Sequence, residues 1–392
     1  MRIVSKLLVA ATTAAAVTAL MAGPALADPQ PPGTIPGPTD VVGVGSDTTE
    51  FVFDQLSADY NATHTTGKLY SWDALSPKGL PQHDPIQVKS GSAGCNIPRP
   101  FGSSEGITAL VNTMTTGGHP CIDYARSSRP RASTDSPSIS FINVAGDAVT
   151  YATQPGSNAP TNLDTADLTA IYNCSRTTWN TLPDHPGTST AKISAFAPQN
   201  GSGTQKFFLG ALGLTAPGPC VSTSATVAGA AGNAGNTLEE NEGVAPILNK
   251  NKANVIFPFS VGKYIAEKFH SASCGTIAQC FATPTACTPT GGQNIFGCNT
   301  HGTMVLRSIN GTAPTTGTDG QTVINPNFTP TFSRLLFAVV NSPQGTIPSN
   351  LKKYFGPTGF ICTNTKAKNH LKKYGFLVLP NGGGPGQCGH AQ

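Results

Sequence analysis

Charged residues are scarce in this sequence. Of its 392 residues, only 11% are Asp, Glu, Lys or Arg, whereas globular domains average about 25%. Binding to nucleic-acid phosphates depends on many Lys and Arg side chains that release counterions. The composition, with a formal net charge of only +4, therefore argues against a nucleic-acid-binding protein. A disordered chain would combine low hydrophobicity with high net charge, and the 38% hydrophobic content excludes that class as well.

The sequence also lacks any C-x-x-C pair among its ten cysteines. Zinc ribbons and thioredoxin-like redox sites use such pairs, so we predict neither a metal site nor a redox site. An even number of cysteines in an exported chain instead favours disulfides. Sequence alone leaves the connectivity open, and the local pairs that we favour are Cys95–Cys121, Cys174–Cys220 and Cys362–Cys388. The four remaining cysteines are then expected to pair among themselves; they are Cys274, Cys280, Cys287 and Cys298.

Long hydrophobic runs are missing beyond the N-terminus, and no internal repeat is present. Residues 1–27 combine a basic start, an apolar run and an A-x-A-like end at residues 25–27, the three parts of a secretory signal peptide. A membrane helix would need roughly 18–20 apolar residues, and the Ala- and Thr-rich run favours the signal peptide. The first cysteine is Cys95, so we expect no lipid anchor. The predicted product is a secreted, extracellular monomer.

The rest of the chain has the pattern of an α/β fold. A Pro-rich leader at residues 28–40 is followed by three units of strand, polar loop and helix, a pattern typical of α/β proteins. The units are predicted as strand 41–45 with helix 50–60, strand 86–88 with helix 107–114, and strand 193–196 with helix 205–214. Two apolar runs, residues 141–150 and 332–341, predict long strands that cross between lobes. Residues 271–327 are predicted to form an irregular, disulfide-tied insertion.

The three polar loops share a property that suits anions. Each places Ser together with Thr or Gly directly before a helix, in the segments 46–49, 102–106 and 200–204. Unpaired backbone amides and the positive end of the helix dipole attract anions at such positions. Ser and Thr are also ordinary helix caps, so one loop alone would mean little. Three such loops in one chain predict a shared anion site.

The loops also carry a resemblance to a known family. The chain resembles the phosphate-binding, PstS-like solute receptors of bacterial ABC transporters. Five segments are similar to family motifs in the same order, namely residues 44–48, 102–106, 122–130, 168–180 and 200–204. The last, Asn200-Gly201-Ser202-Gly203-Thr204, is similar to the family's DGSGT loop and is the most specific. Weaker similarity continues to residue 380.

The resemblance implies a two-lobe α/β fold of the type II periplasmic-binding-protein kind, with two strands crossing between the lobes. One lobe would comprise residues 41–148 and 328–392, and the other residues 149–327. The ligand would be a small oxyanion, above all phosphate, held in the cleft between the lobes. An ABC permease stays open as a partner. No cofactor and no catalytic residue are implied.

The resemblance carries the family's ligand contacts onto Thr48, Ser103, Ser202, Gly203 and Thr204. Two family charges are missing, because the ligand-contacting Asp falls on Ser128 and an Arg falls on Pro198. A carboxylate accepts a hydrogen bond only from a protonated oxyanion, whereas a hydroxyl both donates and accepts. With Ser128 as the contact, we therefore predict weaker discrimination between phosphate and sulfate.

Nearby charged residues could compensate for these losses. Arg126 and Arg129 could bind the oxyanion in a bidentate manner, or they could serve in ion pairs or at the surface. Asp47 could supply the missing acceptor, or it could cap the following helix.

Two other function classes stay open. Gly102-Ser103-Ser104-Glu105-Gly106 fits the G-x-S-x-G pattern of serine hydrolases, with Ser104 as nucleophile and His301 or His370 as a candidate base. That pattern needs a strand running into the turn, and the prolines just before it oppose a central strand. The other class is a secreted adhesion or protein-binding module that has lost oxyanion binding, since two site charges have changed. We favour a binding protein over an enzyme.

Overall fold

The structure is a computed structural model, and it describes residue 29 and residues 34–74, 82–91, 93–225, 237–243, 245–270, 301–318 and 321–392. The predicted signal peptide, most of the Pro-rich leader and the four cysteines between 274 and 298 lie outside the described residues.

The described chain alternates strands and helices. The strands are β1 Val41–Gly45, β2 Leu69–Ser71, β3 Pro85–Gln87, β4 Asn96–Pro98, β5 Thr115–Thr116, β6 His119–Pro120, β7 Tyr124–Ser127, β8 Ile139–Thr153, β9 Asn162–Leu163, β10 Ser194–Ala195, β11 Val255–Ser260, β12 Val305–Leu306, β13 Ser308–Ile309, β14 Thr315–Thr316, β15 Val323–Ile324 and β16 Ser333–Asn341. The α-helices are α1 Glu50–Asn61, α2 Ser103–Val111, α3 Thr165–Tyr172, α4 Gly203–Ala211, α5 Pro246–Lys250, α6 Val261–Ile265, α7 Lys352–Phe355, α8 Phe360–Thr363 and α9 Thr365–Lys373. Short 3₁₀ turns lie at Asp47–Thr49, Ala93–Cys95, Trp179–Thr181 and Pro330–Phe332, and a π-helical turn lies at Ala266–His270.

A mixed sheet forms the centre of the fold. Its strand order is β10-β11-β8-β16-β7-β1-β2, and β12 also pairs with β8. The outer pairs β1–β2, β1–β7 and β10–β11 are parallel, whereas β8 and β16 run antiparallel to their neighbours. All 15 residues of β8 are buried, as expected for a strand that is covered on both faces. These two strands confirm the long strands predicted from the apolar runs.

The hydrophobic core is divided along β8. Residues up to Ala145 on this strand pack with α1, α2 and the C-terminal helices, whereas Ala148 and later residues pack with α3, α4 and β11. The strand therefore contributes to two sets of core clusters, one on each side of residues 145–148.

The three predicted units are present, with two corrections. Helices α2 and α4 begin inside the predicted loops, at Ser103 and Gly203. The strand predicted before α2 lies outside the central sheet, because β3 pairs only with β4 in a hairpin. Pro85 and Pro98 face each other in that hairpin, and proline lacks the N–H that a central strand needs.

The part of the predicted insertion that the structure describes is not irregular. Within residues 301–318 and 321–327 it contains the strands β12 to β15, and β12 joins the central sheet beside β8. The apolar pair Val305–Leu306 suits this position, since Leu306 packs against the core.

Three disulfides cross-link the described chain, and they confirm the predicted pairs. Cys95–Cys121, Cys174–Cys220 and Cys362–Cys388 have Cα–Cα distances of 5.3, 5.8 and 5.6 Å. Such bridges persist in oxidising compartments, so they indicate a location outside the cytoplasm. Among the described residues, no helix has both the length and the hydrophobicity needed to cross a membrane.

Two glycines bring α2 close to the end of β1. Gly45 has a φ of +117°, a conformation that L side chains rarely adopt, and a Cβ there would lie 2.6 Å from the Arg126 carbonyl oxygen. A Cβ at Gly106 would lie 2.5 Å from the Gly45 Cα. Because neither position carries a side chain, the first turn of α2 lies against the loop that follows β1.

Candidate functional site

Residues from three distant parts of the sequence meet at the carboxyl end of β1. Ser46 and Thr48 follow β1, Ser128 follows β7, and Gly203 and Thr204 begin α4. The Oγ1 atoms of Thr48 and Thr204 are 3.4 Å apart although 156 residues separate them. We call these five residues the cradle, and they are all buried.

The cradle surrounds the carboxylate of Glu240. At the N-terminus of α4, the Gly203 and Thr204 amides donate hydrogen bonds to Oε1 at 2.5 and 3.2 Å. Four hydroxyl oxygens surround Oε2, those of Thr48 at 2.5 Å, Ser128 at 3.2 Å, Thr204 at 3.2 Å and Ser46 at 3.3 Å. Glu240 is only 2% exposed. A carboxylate only accepts hydrogen bonds, so neutral donors converge here on one buried anion.

Asp47 lies beside Glu240, and the pKa values of the two carboxyls shift in opposite directions. Burial, followed by the neighbouring Glu240 charge, raises the pKa of Asp47 well above its usual value. Burial alone would also raise the pKa of Glu240, but the adjacent Asp47 carboxyl, the positive charge of Arg334 and the hydrogen bond from the Thr48 hydroxyl lower it to about 2. Glu240 is therefore the more acidic of the two carboxyls and is ionised at neutral pH.

Arg334, on β16, supplies a positive charge behind the cradle. Its Nη1 donates hydrogen bonds to the Ser128 carbonyl at 2.9 Å and to Thr204 Oγ1 at 3.0 Å. Its Nε and Nη2 donate to Asp147 Oδ2 on β8, at 3.0 and 2.8 Å. Both side chains are buried, at 1% and 0% exposure. The long strands β8 and β16 therefore hold Arg334 where it bonds to Ser128 and Thr204 of the cradle.

The arginines that the sequence suggested have other partners. Arg126 is buried, and it donates to the carbonyls of Gly45 and Ser46 and to Ser71 Oγ. It therefore fixes the loop that carries Thr48. Arg129 forms two parallel hydrogen bonds with Asp135, at 2.7 and 2.8 Å, which agrees with the ion-pair alternative for this residue.

Two predicted serines lie beside the cradle and support it. Ser103 Oγ accepts a hydrogen bond from the Ser128 amide at 3.0 Å and lies 3.2 Å from Ser128 Oγ. Ser202 Oγ accepts from the Gln205 amide at 2.9 Å, so it caps α4. In the arrangement described, Ser103 positions Ser128, and Ser202 positions the first turn of α4.

The hydrolase pattern has no catalytic geometry in the described part of the chain. Ser104 Oγ lies 2.9 Å from Lys206 Nζ and 3.4 Å from Arg129 Nε. His370 pairs with Asp59, and the His301 ring lies against Tyr264. Neither histidine contacts Ser104, so a Ser–His pair of the kind that a hydrolase needs is not formed there.

Sequence reasoning missed Glu240 and Arg334, although each left a signal. Glu240 belongs to the acidic run Glu239-Glu240-Asn241-Glu242 in a chain with few charges. Arg334 interrupts the apolar run at residues 332–341, and Asp147 interrupts the other long strand in the same way. A charge within an apolar strand needs a buried partner, so these two positions could have been paired before the structure was known.

Comparisons with known proteins agree with this architecture. A family model described as a PBP superfamily domain matches residues 37–255. A search of curated protein sequences gives no match. Among solved structures, an ABC-type phosphate transport receptor from Vibrio cholerae is 16% identical over 87% of this chain and 100% of its own, with a TM-score of 0.50. PstS from Borrelia burgdorferi is 16% identical over 87% of this chain and 99% of its own, with a TM-score of 0.41.

The similarity to the Vibrio receptor confirms the predicted α/β fold of the type II periplasmic-binding-protein kind. The low identity marks a divergent sequence. Because the family model covers more than half of the sequence, the chain belongs to the PBP superfamily.

Proposed function

We propose that this chain is a secreted binding protein that captures a small oxyanion, above all phosphate, in the cradle. The observation that supports the proposal is the convergence of two backbone amides and four hydroxyls on one buried carboxylate. A phosphate oxygen is an acceptor of the same kind, and the N-terminus of a helix suits it for the same electrostatic reason.

The ligand would lie between two lobes, which we propose as residues 41–148 with 328–392 and residues 149–327. The divided hydrophobic core supports this partition. Ser46, Thr48 and Ser128 would then belong to the first lobe, and Gly203 and Thr204 to the second. An anion that bonds to both sets would hold the lobes together, which is how we expect binding to close the cleft.

We propose weak discrimination between phosphate and sulfate. Ser128 Oγ lies on the cradle, where it can donate to either anion. Burial and the neighbouring Glu240 charge raise the pKa of Asp47, which disfavours the ionised form that would select a protonated oxyanion. Arg334 is shared with Asp147 and contributes positive charge without contacting the Glu240 carboxylate directly.

Export and delivery belong to the same proposal. The three disulfides support a location outside the cytoplasm, and PBP-superfamily proteins are typically binding proteins rather than enzymes. We propose that the mature protein is a released monomer, with an ABC permease as a candidate partner for the loaded form.

Calorimetric titration with phosphate, sulfate and arsenate tests the proposal. A hydrogen bond to a charged group contributes roughly 1.5–3 kcal/mol, so Thr48→Ala and Thr204→Ala, each made in a variant without the Glu240 carboxylate that uses the same hydroxyls, should weaken binding about 10- to 150-fold. Thr108→Ala, which removes an exposed threonine of α2, is the matched control and should bind as the parent variant does.

A second candidate function is supported by one observation. Glu240 already satisfies the cradle donors, which is what a protein-binding module without a small ligand would require. If neither the wild type nor a variant without the Glu240 carboxylate binds any of the three anions at millimolar concentration, oxyanion capture is wrong and this second function becomes the better interpretation.

A further inference from the structure

We infer that Glu240 is a built-in competitor for the cradle, so that an external oxyanion binds only by displacing the carboxylate of the protein itself. This inference rests on the proposed function, since it concerns the same donors. It assigns Glu240, which matches no ligand contact carried over from the family resemblance, the role of setting the affinity.

Glu240 occupies the hydrogen-bond donors of the cradle with both of its carboxylate oxygens. Each of its two carboxylate oxygens is bonded by donors that an oxyanion would need, two amides on Oε1 and the surrounding hydroxyls on Oε2. The amides of Gly203 and Thr204 each have a single hydrogen. An external anion therefore cannot bind them while Glu240 keeps them.

The space around the cradle is equally limited. A methyl group added at Gly203 would lie 2.2 Å from Ser128 Oγ and 2.4 Å from Ser103 Oγ. The Thr48 and Thr204 hydroxyls are 3.4 Å apart on the other side. At these distances the cradle holds one anion. An oxyanion that entered beside the Glu240 carboxylate would bring two negative charges into contact.

The surrounding charges also oppose simultaneous binding. Asp47 and Glu239 are buried near Glu240, and burial together with neighbouring negative charges, that of Glu240 included, raises the pKa of both. Arg334 already neutralises Asp147, with which it makes two hydrogen bonds. An anion that entered with Glu240 still in place would add a further negative charge to this acidic surrounding.

Displacement has a measurable consequence for affinity. When a site is open in only a fraction of the molecules, the apparent Kd equals the intrinsic Kd divided by that fraction. A carboxylate tethered within the same chain competes at a high effective concentration. If Glu240 fills the cradle in about 90–99% of the molecules, removing it should strengthen phosphate binding about 10- to 100-fold.

Titration of the full mature chain with inorganic phosphate, at fixed ionic strength, tests the inference. We compare the wild type with Glu240→Ala and use Asp184→Ala as the control, because Asp184 is exposed and its loss changes the net charge equally. Glu240→Gln, which keeps the side-chain size, replaces Glu240→Ala if the latter does not fold. The expected result is a Kd at least about 10-fold lower without the carboxylate and an unchanged Kd in the control.

Acetate provides a second readout that does not depend on phosphate binding. It should fill the cradle of Glu240→Ala and raise the melting temperature of this variant, but not that of the wild type. If acetate does not raise the melting temperature of Glu240→Ala more than that of the wild type, the cradle is not a carboxylate site.

Each other outcome of the titration is decisive. Equal Kd values for wild type and Glu240→Ala overturn the competitor role and leave oxyanion capture intact. Weaker binding by Glu240→Ala also overturns it and makes Glu240 a ligand contact. If no variant binds phosphate although acetate rescues Glu240→Ala, oxyanion capture fails while the role of Glu240 as the resident anion stands.

Discussion

A methyl group added at residue 203 tests how tightly the cradle is closed. In Gly203→Ala, the new Cβ would lie 2.2 Å from Ser128 Oγ, 2.4 Å from Ser103 Oγ and 3.0 Å from the Arg129 amide nitrogen. Carbon atoms do not approach hydroxyl oxygens this closely, so either α4 or the two serines must move. Forcing extra volume into a packed site typically costs about 1–3 kcal/mol.

Helix α4 also provides the matched control. A Cβ built at Gly210 has nothing within 4 Å. Glycine within a helix is about 0.5–1 kcal/mol less favourable than alanine, so Gly210→Ala should stabilise the protein by about that amount. The two variants make the same chemical change on one helix, and their free energies of unfolding should differ by about 1.5–4 kcal/mol.

Urea unfolding under non-reducing conditions, followed by fluorescence, gives the comparison through the shift in midpoint at constant slope. Gly203→Ala should unfold at lower urea than the wild type, and Gly210→Ala at higher urea. If Gly203→Ala is as stable as Gly210→Ala, the start of α4 does not pack against the two serines, and the closed cradle described here is wrong.

Three further predictions follow from the buried charges and the cradle. Arg334→Met leaves Asp147 buried with the Ser260 hydroxyl and the Gly262 amide as its remaining donors among the described residues. The free energy of unfolding, measured in urea, should fall by about 3–5 kcal/mol. A decrease below about 1 kcal/mol would refute the buried ion pair. Burial raises the pKa of Glu242 from 4.5 to about 7, so ionising it costs stability progressively as the pH rises from 4.5 to 7. Glu242→Gln should therefore raise the melting temperature above pH 7 by more than it does near pH 4.5, and a gain independent of pH would contradict that pKa. Ser128→Asp, made together with Glu240→Ala, should raise the ratio of phosphate to sulfate affinity in calorimetry, and an unchanged ratio would show that residue 128 does not face the ligand.

The secondary-structure elements were largely predictable because local patterns determine them, whereas the type II arrangement was what the family resemblance implied. The apolar runs at residues 141–150 and 332–341 lie within β8 and β16, and the Ser-, Thr- and Gly-rich loops precede α1, α2 and α4. The three disulfides are the local pairs that we favoured among the open possibilities, with separations of 26, 46 and 26 residues. The predicted start of α2 at residue 107 is too late, because the prediction assigns residues 102–106 to a loop although the helix already begins at Ser103.

The charges of the candidate site were less predictable because they depend on long-range packing. The loss of the family arginine at Pro198 suggested Arg126 and Arg129 as replacements, since both are close in sequence to a predicted contact. The structure instead gives both of them other partners and brings Arg334 from a strand near the C-terminus. Glu240 reaches the start of α4 from 36 residues downstream, a distance over which no local pattern predicts contact.

The balance of charge explains why one site can hold an internal carboxylate and, on our proposal, an external oxyanion. Arg334 and Asp147 neutralise each other, and Glu240, whose pKa is lowered to about 2, contributes a negative charge at the cradle at neutral pH. The amides and hydroxyls stabilise that charge without carrying any charge themselves. When dihydrogen phosphate replaces Glu240, the donors lose one monoanion and gain another, whereas the carboxylate becomes hydrated outside. This exchange needs no new cation, and the affinity depends on how well each anion uses the same set of donors.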